Sequence, residues 1–382
     1  MIKILFLFLT FGNFLTISYS SENYNINYAE VFLLFFIVLI TLKILYKKSD
    51  FRIYSFSRKY IITSFIMIIY SMLTFFWSPF GMSSILPVIV YTYIILIFIF
   101  FSNVNFNLED YIYANRILLI SLIVQLSISF YLNGAINSTN YYTIKEIAST
   151  FMGNSNYLSI YISFILVFEY VGKKKHWLIY TLIASLGLLL TMSKSAIISV
   201  IFVLLFYTLY QIWFSRKKGK LWLISSLIIL FGIIYLGLSK TSIGNVFLNA
   251  TISSLSDGYI SGRDILIINS LQDISQNIFG MGYSLKNDPH NFILISLRSF
   301  GIFAGIISIM LYLFPVLKLL NSKGYKGSKT IQAFFFAYCV LMIHTLFEIF
   351  FYLNVSTIWW GITVFFLEKE LHDEHSGNIK LQ

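Results

Sequence analysis

Long apolar stretches separated by short polar breaks run through most of the chain, and one break is far longer than the rest. A helix needs about 20 predominantly apolar residues to cross a bilayer, so each stretch of about that length is a candidate span. Twelve windows fit, at about residues 3–20, 28–46, 60–77, 84–101, 112–132, 155–171, 177–192, 196–213, 221–238, 291–317, 330–351 and 353–367. The pattern predicts an all-α polytopic integral membrane protein with about 12 transmembrane helices. The longest breaks are residues 133–154 and 239–290. Within the second, Ile265, Ile268, Leu271, Ile274 and Ile278 recur at helical spacing, while Asp264, Gln272, Asp273, Gln276 and Asn277 occupy the rest of the wheel. That spacing predicts an amphipathic helix over Asp264 to Ile278, lying in the membrane interface. Ser261 or Asp257 is placed to cap it, and the turn Gly280-Met281-Gly282 to end it and return the chain to the membrane.

Composition agrees with this class. Charged residues make up 11% of the chain, against about 25% in soluble domains, and hydrophobic residues 58%. With four prolines and twenty glycines there is no linker, so residues 1–382 read as one membrane domain with the 239–290 loop inside it. Cys339 is the single cysteine, which excludes an intramolecular disulfide framework and a cysteine metal cluster.

Charge sets the topology. Lys47, Lys48, Arg52, Arg58 and Lys59 form one basic break, Lys173 to Lys175 another, Arg216 to Lys220 a third, and Lys323, Lys326 and Lys329 a fourth. Each follows an even-numbered window, so all four share one side, the cytoplasm, together with both termini. The net charge of +11 is then a topology signal with anionic headgroups as its partner, and gives no support for nucleic-acid binding. The 133–154 and 239–290 breaks face outward. The first window also reads as a signal peptide, since Lys3 precedes the apolar run and Ser18-Tyr19-Ser20 imitates a cleavage site. Either reading leaves the second window entering from outside.

The candidate chemistry lies in the outer loop. Arg263 falls in the first turn of the amphipathic helix, beside unpaired backbone N–H groups that favour an anion. His290 follows Pro289 at the mouth of the tenth window, where an imidazole that titrates near neutrality can take a proton from a sugar hydroxyl. The bland reading is a histidine that prefers the polar boundary. Arg298 lies two turns further along the same expected helical face and is a candidate to line an anion cavity; snorkelling, or pairing with Glu348, is its structural alternative. His344 and Glu348 are spaced i and i+4 and read as a supporting pair. Asn154 and Asn156 read as helix caps, most aromatic residues as a lipid-facing belt, and Tyr141, Tyr142 and Tyr157 as candidates for glycan contact.

These residues carry a family resemblance. The order Gly262-Arg263, amphipathic helix, Gly280-Met281-Gly282, then His290-Asn291 followed by an apolar span with Gly301 and Gly305, resembles the O-antigen ligase and Wzy-type O-antigen or capsular polysaccharide polymerase superfamily. Gly153-Asn154-Ser155-Asn156 and Thr191-Met192-Ser193-Lys194-Ser195 are similar to two further motifs of that family, and the likeness covers roughly residues 150–365. It implies a GT-C-like, inverting, metal-independent glycosyltransferase with no cofactor. The implied partners are an undecaprenyl-diphosphate-linked oligosaccharide donor and acceptor, the lipid bilayer and a chain-length regulator protein. The implied site is on the outer face of the bacterial cytoplasmic membrane. Carried over by motif, Arg263 and Lys194 hold the diphosphate and His290 activates the acceptor hydroxyl. Lys194 departs from the family's arginine, and an ammonium does not grip a phosphate bidentately.

The residues support the same scheme directly. Displacing a diphosphate from an anomeric carbon needs a cation at the leaving group and a base on the opposite face of the sugar, which Arg263 and His290 supply. The diphosphate leaves without a general acid, so few outer carboxylates are needed. Polymerase is the expected activity. A ligase of the same superfamily and a lipid-linked oligosaccharide flippase are the alternatives, the latter disfavoured because the long outer loop occurs only in the second half.

Overall fold

A computed structural model shows a chain that is almost entirely helical. The described residues are 1–19, 22–47, 51–133, 140–214, 225, 228–229, 232, 235–236, 239–240, 242–256, 263–284, 288–321 and 328–379. Among them are fourteen α-helices: α1 (Ile2–Leu9), α2 (Tyr28–Lys47), α3 (Ser55–Thr74), α4 (Leu86–Ser102), α5 (Leu108–Leu132), α6 (Tyr141–Ile147), α7 (Ser155–Gly172), α8 (Trp177–Leu190), α9 (Lys194–Phe214), α10 (Ser242–Ser256), α11 (Arg263–Gln276), α12 (Phe292–Asn321), α13 (Lys329–His344) and α14 (Asn354–Ile379). Five described segments are long and apolar enough to cross a membrane: Ser55–Thr74, Gly81–Ser102, Leu108–Leu132, Lys194–Ile212 and Phe292–Asn321. Shorter apolar helices cover Tyr28–Leu39, Trp177–Leu190 and Lys329–His344. Most of the 221–238 window, the Arg216 to Lys220 break, Lys48, Lys323, Lys326, Asp257, Ser261 and Gly262 lie outside the described residues.

The first window departs from expectation. Instead of one helix over residues 3–20, α1 stops at Leu9, and Asn13–Tyr19 (β1) pairs antiparallel with Glu22–Asn27 (β2). A helix of eight residues is about 12 Å long, too short to span. The segment after Gly12 is rich in Asn, Thr, Ile and Tyr with polar and apolar residues interleaved, a pattern that suits a strand better than a helix. Thr16, opposite Asn25, donates to its Oδ1 at 2.9 Å.

The chain forms two compact units, each discontinuous in sequence. One comprises Met1–Asn115, Ser261–Gly324 and Thr345–Gln382, the other Arg116–Ile260 and Tyr325–His344. The first is cored by α3, α4, α12 and α14, where Tyr60 stacks on Phe98 and the rings of Tyr312 and Trp360 meet at 4.7 Å. Several of its buried polar groups pair across the core: Trp359 Nε1 donates to Asn115 Oδ1 at 3.1 Å, and Tyr60 and Lys318 both donate to Glu368. The second unit is built around α7, which is buried on nearly every face between α8, α9 and α13. There Arg116 grips Glu169 bidentately at 2.6 and 2.8 Å, a geometry that offsets the cost of burying both charges.

In the first unit α12 is broken at Gly301, where φ is 74° and ψ is −179°, a conformation open to glycine alone. The break frees backbone groups that a lipid environment does not solvate. The chain after α11 satisfies them: Met281 N donates to Arg298 O at 2.9 Å, Gly282 N to Ser299 O at 3.0 Å, and Ile302 N to Ile278 O at 3.0 Å. Tyr70 and Trp77 anchor the same turn through Phe279 O and Gly280 O. A Cβ on Gly301 would stand 2.1 Å from Ile278 O, and one on Gly280 2.4 Å from Gly301 N. Gly301→Ala and Gly280→Ala are therefore each expected to cost more than about 3 kcal/mol, from positive φ plus backbone overlap. Gly232→Ala, with open space around it, is expected to cost nothing. Thermal unfolding of the detergent-purified variants checks this; a Gly301→Ala protein as stable as wild type refutes the junction.

Candidate functional site

Arg263 is the first residue of α11, as expected, and the helix ends at Gln276 before the glycine turn. Its apolar face is uncovered: Ile265, Ile268 and Leu271 are each more than half exposed, and Ser270 is its single fully buried residue. A helix with this face bare is suited to a membrane surface. Charged groups hold it at both ends. Arg263 Nη1 donates to Phe347 O at 2.8 Å and Nη2 to Glu348 Oε1 at 2.8 Å, while Asp273 Oδ2 accepts from Arg298 Nε at 2.8 Å.

His290 does not begin the helix that carries Arg298. It precedes α12 with φ of 51°, so the two do not share a helical face, and that expectation is corrected. The reason lies in its neighbours. Asp288 Oδ1 accepts from His290 N at 2.7 Å and tightens the turn, while Asn291 caps α12, its Oδ1 accepting from Ile293 N and Leu294 N. Asn291 Nδ2 and Phe292 N then donate to Leu346 O and Thr345 O, tying this turn to the segment after α13. The segment brings Glu348 to the imidazole: His290 Nδ1 is 3.5 Å from Glu348 Oε2 and 3.6 Å from Asp288 Oδ2. At those lengths the contacts are electrostatic, and Nδ1 is buried without a formed hydrogen bond. The exposed part of the ring is the part away from Nδ1.

The expected i, i+4 pairing of His344 with Glu348 is also corrected. α13 ends at His344, so Glu348 is not on its helix; it bonds Arg263 instead, and His344 Nε2 lies 3.1 Å from Ser195 Oγ. The structure thus gathers Arg263, His290 and Arg298 in the first unit with three carboxylates, Asp273, Asp288 and Glu348. Reading the sequence missed Asp288 and the role of Glu348. Asp288 stands two residues before His290 and was legible as a turn former; Glu348 is 85 residues from Arg263, and no local signal joins them. Lys194 belongs to the second unit, where it opens α9, donates to Ala250 O at 2.8 Å and lies 4.9 Å from the centre of the Tyr141 ring. Tyr141 is itself buried and donates to Met192 O, whereas Tyr142 is exposed. Asn154 caps α7 through Asn156 N and Tyr157 N, as expected. Among the described residues no three His, Cys, Asp or Glu side chains converge as metal ligands.

The cluster strengthens His290 as a base. Glu348 is the main influence raising its pKa above the ordinary histidine value, Asp288 adds to it, and burial and Arg263 oppose. Burial, aided by Glu348, raises the Asp288 carboxyl, against the pull of His290 and Arg298. No protein-family model and no curated protein matches the chain.

A raised His290 pKa stabilises the fold below the unfolded-state histidine value, about 6.5, and that contribution is lost as pH rises through the folded value. NMR titration of isotope-labelled histidine is expected to place His290 above that reference and to show Glu348→Gln lowering it. A wild-type value at or below the reference contradicts this account of the cluster.

Proposed function

We propose that the chain is a membrane glycosyltransferase of the O-antigen ligase and polymerase superfamily. Its reaction joins undecaprenyl-diphosphate-linked oligosaccharide repeat units into O-antigen or capsular polysaccharide. Its setting is the bacterial cytoplasmic membrane, crossed by several spans, with the basic breaks on the cytoplasmic side and the site on the outer face. The observation that carries the reading is the meeting of Arg263 and His290 on one buried carboxylate, Glu348, at the end of a helix with a bare apolar face. A cation for a leaving diphosphate and a base for an acceptor hydroxyl are thereby held beside a surface suited to lipid.

In this reaction Arg263 takes the charge that builds on the diphosphate as the anomeric bond breaks, and Arg298 adds positive potential next to it. His290 removes the acceptor proton on the opposite face of the sugar, so the configuration inverts. No metal takes part. A neutral imidazole is required, so the rate climbs as pH rises through the His290 pKa.

The test is the surface-glycan ladder of a strain lacking this chain, complemented with variants at equal abundance. His290→Ala is expected to leave single repeat units and no ladder, a loss of about 10²–10⁴ in rate, and Arg263→Ala a loss of about 10²–10³. Purified protein is expected to keep its activity in EDTA. A normal ladder from His290→Ala removes the assignment of the base. Polymer left on the lipid carrier with none attached to its final acceptor identifies a ligase instead, and lipid-linked glycan crossing vesicles without glycosyl transfer identifies a flippase.

A further inference from the structure

Two of the candidate spans of the first unit, α3 and α12, enclose a cavity of about 430 Å³, within the range of small-molecule sites. Its floor is closed by Tyr60 and Leu311, which are buried, while Ile62, Ile306, Ile307 and Met310 line it with side chains open to the outside. It is therefore a groove on the flank of the bundle, apolar along its length. Its polar end carries Lys59, whose Nζ lies 5.0 Å from the centre of the Phe314 ring. The buried acid bonded to Tyr60 at the floor, Glu368, is also taken by Lys318. Among the described residues Lys59 has no carboxylate partner, and Arg58 beside it is exposed. Both belong to a basic break that marks the cytoplasmic side.

We propose that this groove seats an anionic phospholipid of the cytoplasmic leaflet, one acyl chain lying between α3 and α12 and the phosphate resting on Lys59. Charge complementarity selects the occupant. An apolar trough of this kind accepts any chain, but an ammonium without a counter-ion at its cytoplasmic end discriminates for a headgroup that carries net negative charge. The site is independent of the reaction proposed above and uses none of its residues.

Native mass spectrometry of the detergent-purified full chain, incubated with dioleoyl-phosphatidylglycerol or dioleoyl-phosphatidylcholine, reads the proposal. Wild type is expected to retain phosphatidylglycerol preferentially, and Lys59→Gln to retain it about five-fold less, the effect of one cation at an anionic surface. Ile307→Trp, which fills the trough from an exposed position, is expected to reduce retention of both lipids. Lys175→Gln, an exposed charge in the other unit, is expected to change nothing. Equal retention of phosphatidylglycerol by wild type and Lys59→Gln overturns the proposal. So does its displacement by undecaprenyl phosphate at equimolar concentration, which makes the groove a seat for an isoprenoid tail.

Discussion

Backbone polarity inside a membrane is the constraint on which the rest of this site depends. A helix that breaks within the hydrocarbon must find partners for the N–H and C=O groups it releases, because lipid offers none. α12 breaks at Gly301, and the partners come from residues 278–282, the turn that closes α11. The two glycines that meet there leave no room for a Cβ, so the backbones themselves are in contact. This junction fixes the end of α11 against α12, which in turn sets Asp273 beside Arg298. The start of α11 is then within reach of Glu348.

Around that frame the charges are arranged to cancel. Arg263 faces Glu348, Arg298 faces Asp273, and His290 stands between Asp288 and Glu348. Taking an isolated charge out of water costs several kcal/mol, and pairing is what makes such burial tolerable. With its three carboxylates ionised, a cluster of two guanidiniums and one imidazole is neutral when the imidazole carries its proton. The elevated basicity of His290 follows from that balance, and from geometry in which the carboxylates lie too far for a short hydrogen bond but close enough for their charge to be felt.

Hydropathy made the helices legible because a bilayer span needs little more than unbroken apolarity. The windows near 60–77, 84–101, 112–132, 155–171 and 196–213 each fall on a helix, and the moment of residues 264–278 found α11 to within two residues. Where the reading failed, apolarity was present without helical order. The 3–20 window is apolar over most of its length, yet its second half, residues 13–19, pairs as a strand with 22–27. At the site, local spacing misled: His344 and Glu348 are four positions apart, a spacing that suggests a pair, but α13 stops at His344. The spacing of residues 290–298 suits a helical face but does not register the positive φ at His290, which keeps that residue off the helix. The partners that count, Arg263 with Glu348 and Arg298 with Asp273, join residues 85 and 25 positions apart, and only folding brings them together.

The helix that carries Arg263 is held differently from its neighbours. Helices such as α7 are fixed by burying almost every side chain, whereas α11 fully buries one serine and leaves Ile265, Ile268 and Leu271 bare. Its attachment to the protein is an ion pair at each end plus the backbone junction after it, and these fix position without contributing much hydrophobic free energy. The apolar face must then be stabilised by something other than protein, and acyl chains at the interface are the available partner. On the membrane placement proposed above, the geometry of Arg263 relative to His290 is set jointly by the fold and by the bilayer: the protein supplies the pairing, and the bilayer supplies the burial.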